Sequence, residues 1–191
     1  MLLWRPRGEF SENISCSKEA RGANRTAPHG RRRHDDRWWR VMLSQTEEVA
    51  LEIKTLDAHD GQGLTLAHTA GLRTGCITGR QSSALLRRAH EMNMEFIYMK
   101  QALKMPAYEE IVRKAAVSDS VVAYVGDDLP DLPVMRRVGL AVAVGNAVPE
   151  VKETAHYTTK ALAGHGAIRE TVELILKSKG IWDSMIDKAR A

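Results

Sequence analysis

From about residue 40 onward, short apolar runs alternate with stretches of helical period. The clearest run, 121–125, reads Val-Val-Ala-Tyr-Val and ends at Gly126. An apolar run of this length with no polar alternation predicts a strand buried on both faces. Runs at 74–77, 95–99 and 140–144 predict further short strands, and 157–159 a last edge strand. Between them, the spacing predicts helices over 64–70, 83–92, 106–116, 132–138, 151–155 and 167–177. The last of these has a broad apolar face made by Ile168, Val172, Leu174, Ile175 and Leu176. Earlier, 40–43 and 49–55 predict a hairpin turning at 44–47, because Val49, Leu51 and Ile53 alternate with Ala50, Glu52 and Lys54. Strands alternating with helices predict an α/β domain, a doubly wound parallel sheet over 41–180. A tail over 181–191 carries Ile181, Trp182, Met185 and Ile186, suited to docking on its own domain or on a neighbour.

The first forty residues break this pattern. They mix Arg, Gly, Asn, Ser and Pro without period and are expected to be irregular. They also change the meaning of the charge. The 191-residue chain has 28 Lys and Arg against 24 Asp and Glu, a net charge of +4, but arginine crowds this segment and the remainder is near balance. A basic nucleic-acid arm is one reading; no aromatic platform or recognition helix accompanies the charge, which argues against it. A hydrophobic content of 43% suits a soluble core, and 5% aromatics makes that core aliphatic. Cys16 and Cys76 lie far apart, Cys76 within an apolar run, so no disulfide framework is expected. No stretch is apolar enough to span a bilayer, and cytoplasm is the expected compartment.

Candidate chemistry gathers where predicted strands end. Asp127, Asp128 and Asp131 follow the 121–125 run, beyond a strand's carboxyl end, where open α/β sheets bind ligands. Clustered carboxylates suit a hard cation such as Mg2+; the alternative is a helix cap, and three acids in five residues favour the site over it. The strand over 74–77 runs into Thr78-Gly79-Arg80-Gln81-Ser82 and a helix. A hydroxyl, a glycine and an arginine between strand and helix suit a phosphate, the alternative being a plain cap by Thr78 or Ser82. Arg87 and Arg88 lie about two turns further on. Asp57 to Gly63 reads as a polar loop whose glycines permit tight turns or close approach to a ligand. Lys104, alone, carries no assignment.

These pieces together resemble the 3-deoxy-D-manno-octulosonate 8-phosphate phosphatases, haloacid dehalogenase superfamily members without a large cap domain. The resemblance runs from about 49 to 181 and rests on the hairpin leading into KTLDAHDGQG, ITGR, Lys104, YVGDDLPDLPVMRRVGLAVAVGNA and AGHGAIRE, in that order. It implies a Rossmann-like core with a small β-hairpin flap. It also implies a Mg2+-dependent phosphomonoesterase acting on a sugar-acid phosphate in lipopolysaccharide precursor synthesis. Thr78 would hold the transferred phosphoryl group and Lys104 would neutralise its oxygens. Asp127 would ligate Mg2+, with Asp128 and Asp131 supporting it. Asp60, Gly61, Gly79, Arg80 and Arg88 would face substrate. A homotetramer is implied, with tails reaching neighbouring sites.

The chain departs from this family in three places. His59 and His165 stand where the family has arginines. The third departure is larger. The family's first motif, DxDGxxTDG, supplies the Asp nucleophile and an Asp general acid/base at the end of the central strand, ahead of the hairpin. Nothing before Val41 matches it; Asp35 and Asp36 are adjacent and no apolar strand precedes them. A frameshift is one account. Back-translated and shifted by one base, Gly30 to Arg40 can encode D-V-D-G-T-M-T-D-G-G, the closing glycines being forced by Trp38, Trp39 and Arg40. The chain as written is therefore expected to grip a phosphate without attacking it. Its rival is a non-catalytic phosphosugar-binding or assembly subunit.

Overall fold

The computed structural model of the chain describes residues 1–4, 39–45 and 51–190. In chain order the strands are β1 (Leu2–Trp4), β2 (Trp39–Gln45), β3 (Leu51–Asp57), β4 (Arg73–Ile77), β5 (Phe96–Tyr98), β6 (Val122–Gly126), β7 (Leu140–Ala143) and β8 (Tyr157–Thr158). The α-helices are α1 (Ala58–Thr69), α2 (Ser83–Glu91), α3 (Lys104–Ala115), α4 (Leu132–Met135), α5 (Pro149–Thr154), α6 (Ala167–Ser178) and α7 (Trp182–Arg190). The sheet order is β5-β4-β1-β6-β7-β8, with β2 and β3 forming a separate hairpin. Every residue of β6 and of β7 is buried. Successive side chains point to opposite faces, so both faces of the sheet centre are covered, as the apolar runs require.

Two expectations change. The stretch 1–40 was expected to be irregular and to leave the domain without a central strand, yet Leu2–Trp4 forms one. It lies between β4 and β6 and runs antiparallel to both, while β4 with β5, β6 with β7 and β7 with β8 pair in parallel. Leu2, Leu3 and Trp4 are fully buried. Three apolar residues carry too little pattern to read as a strand; the gap in the sheet selects them. Trp4 stacks on Phe96 at 5.6 Å and lies under the Arg73 guanidinium, but its indole N–H has no acceptor among the described residues. Residues 5–38, which hold most of the frameshift stretch, lie outside the described residues, as do 46–50 in the predicted hairpin turn.

The second change is at 57–63, expected to be a polar loop. Asp57 instead closes β3, and 58–63 form the first half of α1. Asp57 caps the helix by accepting from the His59 N–H at 2.7 Å. Two glycines in a helix are costly locally, and packing explains them. A Cβ on Gly63 would stand 2.9 Å from the Arg169 Cα of α6, and one on Gly61 would collide with the Arg88 guanidinium. The glycines therefore let α1 approach α6 and α2 rather than a ligand.

Helix α7 is the tail. Ile181, Trp182 and Met185 pack against the core, and the Trp182 ring lies 5.5 Å from the Arg169 guanidinium and 4.9 Å from the Lys177 ammonium. The tail thus docks on its own domain. Among the described residues no helix is long and apolar enough to cross a membrane.

Candidate active site

The carboxyl ends of β4 and β6 bring Thr78, Lys104 and Asp127 to one end of the sheet. Strand β4 delivers Thr78. Its N–H donates to Tyr98 O at the end of β5, its carbonyl accepts from Gln101 N at 2.9 Å, and its hydroxyl accepts from Arg80 N at 3.2 Å. The 98–101 segment pinned in this way leads directly into Lys104, the first residue of α3. Ser82 caps α2 through Leu85 N at 3.0 Å.

Strand β6 delivers the acids, and Asp131 organises them. It is buried, and its Oδ1 accepts from Lys104 Nζ at 2.5 Å and from Tyr124 OH at 2.5 Å. Its Oδ2 accepts from the amides of Asp127 at 3.2 Å and Asp128 at 3.3 Å. Gly126 allows this, since a Cβ there would lie 2.7 Å from Asp131 Cβ. Burial alone would raise the Asp131 pKa, but the Met1 ammonium, Lys104 and Tyr124 hold it below the ordinary carboxylate value. Asp127 moves the other way, raised first by burial and then by the Asp131 charge. The Met1 amine, which donates to Val125 O at 2.8 Å, is pushed down to about 6, chiefly by burial. Asp128 turns aside to cap the following turn through Leu129 N at 2.8 Å.

The other expected site residues divide. Gly79 and Arg80 are exposed beside Thr78. Asp60, Gly61 and Arg88 were expected to face substrate and do not do so freely. Asp60 accepts from the amides of Gly166 at 3.2 Å, Ile168 at 3.0 Å and Arg169 at 3.0 Å, capping α6 from a distant helix. Gly166 is the local N-cap, at φ 94°, and has no side chain to fill that role. Gly61 and Arg88 are both buried against each other, and Arg88 Nη1 lies 3.4 Å from Glu91 Oε2. His59 and His165 are both exposed.

Sequence reasoning missed Tyr124, whose signal was a lone hydroxyl in an otherwise aliphatic buried strand. It also missed two loop ties near the site. Asn146 accepts from Ala163 N at 2.8 Å, and Glu170 accepts from Tyr157 OH, Lys160 N and Ala161 N at 2.7, 2.9 and 2.8 Å.

The donor set bears directly on a metal. Among the described residues no group of three or more His, Cys, Asp or Glu is placed to hold one. Both oxygens of Asp131 are occupied, and Asp127 and Asp128 are both exposed at the β6 tip, Asp128 being engaged with Leu129 N. Mg2+ binds through one or two carboxylates with waters and phosphate oxygens. Asp127 fits that mode when a phosphate completes the shell.

Comparison with known proteins relates this fold to a known family. The family described as haloacid dehalogenase-like hydrolase matches residues 68–170. The 3-deoxy-D-manno-octulosonate 8-phosphate phosphatase KdsC of Escherichia coli strain K12 is 38% identical over 132 residues, covering 69% of this chain and 70% of that protein. Its Yersinia pestis counterpart is 40% identical over 125 residues, covering 65% and 67%. Among solved structures, a probable YrbI family phosphatase from Pseudomonas syringae aligns with a TM-score of 0.72 at 35% identity, covering 78% of this chain and 85% of that one. The Moraxella catarrhalis 3-deoxy-D-manno-octulosonate 8-phosphate phosphatase, solved with magnesium ion, phosphate ion and KDO, aligns with a TM-score of 0.71 at 33% identity, covering 77% and 84%. A strand-tip hydroxyl, a lysine on a buried aspartate and an open carboxylate are thus set in a scaffold shared with these enzymes, and the chain belongs to the haloacid dehalogenase-like hydrolases, among the phosphomonoesterases of the 3-deoxy-D-manno-octulosonate 8-phosphate phosphatase type.

Proposed function

We propose that this domain binds the phosphate of a sugar-acid phosphate, 3-deoxy-D-manno-octulosonate 8-phosphate, and that the chain as written hydrolyses it slowly or not at all. The observation that carries this reading is the Lys104–Asp131–Asp127 arrangement beside Thr78. Phosphoryl transfer depends mainly on positioning and charge neutralisation, and these residues supply both. The Thr78 hydroxyl and the amides that follow it hold phosphoryl oxygens. Lys104, steadied by Asp131, places its ammonium against them. Asp127 holds a divalent cation, which when bound neutralises phosphoryl charge. Arg80, exposed beside Thr78, meets the sugar-acid end.

The missing part is the attacking group. The family's central strand ends in an aspartate, whereas β1 holds Leu2, Leu3 and Trp4 and runs the opposite way. The second reading, a phosphosugar-binding or assembly subunit without turnover, is favoured by this feature. The protein acts in the cytoplasm, as a homotetramer in either case.

The test measures phosphate release from 3-deoxy-D-manno-octulosonate 8-phosphate with Mg2+, and binding of the same compound by calorimetry. Two chains are compared: the one given, and one carrying the shifted-frame residues at 30–40. Binding by both with turnover only by the second is expected. Rapid turnover by the chain as written overturns the assignment of the missing nucleophile, and no binding by either overturns the site.

A further inference from the structure

We infer that Tyr124 is a positioning residue that sets how far Lys104 is available to a phosphate, a role that rests on the site reading above. Tyr124 is fully buried in β6, and its hydroxyl meets the same oxygen, Asp131 Oδ1, that receives Lys104 Nζ, each at 2.5 Å. The other oxygen is taken by two main-chain amides. Asp131 therefore has four donors around one buried carboxylate. A carboxylate oxygen that accepts two strong hydrogen bonds divides its charge between them. Tyr124, held in the strand, cannot withdraw. Lys104, on a flexible stem at the start of α3, can. The hydroxyl thus weakens the grip of Asp131 on the ammonium and fixes the carboxylate rotamer. The remaining ammonium N–H groups are then free to face an oxyanion at the Thr78 loop. Burial and the Asp131 charge raise the Tyr124 pKa well above its ordinary value, so it stays a donor.

Without the hydroxyl, Asp131 Oδ1 keeps Lys104 as its only side-chain donor among the described residues, and the pair tightens. The test uses the full chain with inorganic phosphate and Mg2+ as probe. Calorimetry reads affinity, melting reads fold, and NMR reads the Lys104 ammonium. Tyr124→Phe is expected to weaken phosphate binding about tenfold, to shift the Lys104 resonance, and to keep the phosphate-free melting temperature within about 5 °C of wild type. Site-specific 3-fluorotyrosine at 124, a stronger donor of the same shape, is expected to tighten phosphate binding, and it serves if the Phe variant fails to fold. Unchanged affinity in both variants overturns the role, as does lost affinity with an unmoved Lys104 resonance. Absence of phosphate binding by the wild type instead overturns the reading of the site, and this role with it.

Discussion

Lys104 Nζ lies 2.5 Å from Asp131 Oδ1, joining the start of α3 to the turn after β6 across the open end of the sheet. The side chain of Asp131 is 1% exposed and that of Lys104 15%, so the pair is largely withdrawn from water. Removing one partner of such a pair strands the other. Asp131→Asn is expected to destabilise the fold by about 3 kcal/mol and to reduce phosphate binding below detection. Urea denaturation and calorimetry check the two parts. Full stability in Asp131→Asn would count against the pair as a structural element.

Strand β1 can be tested through Trp4. Its ring is fully buried against Phe96, while its indole N–H lacks an acceptor among the described residues. Trp4→Ala is expected to cost about 3–5 kcal/mol, because it empties a core position. Trp4→Phe loses ring area but removes an unpaired N–H worth about 1–3 kcal/mol, so it is expected to cost far less. Equal, small losses in both variants would mean that β1 does not fill the sheet centre.

Gly63 lets α1 pack closely against α6 because it has no side chain. A methyl group there would stand 2.9 Å from Arg169 Cα and 3.3 Å from Arg169 N, both main-chain atoms that cannot yield cheaply. Alanine gains about 1 kcal/mol of helix propensity over glycine. Overpacking costs about 1–3 kcal/mol, so Gly63→Ala is expected to lower the melting temperature. A rise would show that the two helices stand further apart.

Glu170 supplies a pH dependence. Burial alone would raise its pKa, but the amides of Lys160 and Ala161 and the Tyr157 hydroxyl outweigh burial and bring it below the ordinary 4.5. A group whose folded pKa is depressed stabilises fully above its unfolded value and loses that contribution as the pH falls through the folded one. Stability is therefore expected to decline as the pH drops below 4.5, with the slope reduced in Glu170→Gln. Urea midpoints across that range measure it. An identical acid slope in the variant would dismiss Glu170 as the source.

Burial of His68 acts in the same direction at higher pH. Its Nε2 lies 2.8 Å from Thr74 Oγ1, and burial lowers its pKa below 6.5. Below pH 6.5 the unfolded chain takes up a proton more readily than the folded one, so stability falls with acidification. His68→Gln is expected to remove the part of the slope that begins there, read from the same urea midpoints. A slope that survives the substitution would assign it to another group.

Much of this architecture is legible in the amino-acid sequence. Strands β4 to β8 and the helices between them follow from apolar runs and their period, because a strand buried on both faces can tolerate little else. That Thr78, Lys104 and Asp127 gather at one end of the sheet was legible as well, Lys104 only through the family resemblance, since one lysine carries no pattern. The glycines of α1 were misread because glycine marks a turn and a close approach equally, and only the position of Arg169 and Arg88 separates the two. The same holds for Asp60, whose partners lie more than a hundred residues away.

The sequence by itself determined which segments are apolar enough to be buried and where acids, a hydroxyl and glycines interrupt them; these are local properties of the chain. Tertiary structure decided that Leu2–Trp4 occupies the sheet centre in reverse, that Asp60 caps α6, and that Tyr124 and Lys104 share one oxygen of Asp131. Each of these depends on which distant groups are left unpaired once the core has closed. A buried donor or acceptor without a partner is costly, so the closed core, rather than local sequence, selects the partner.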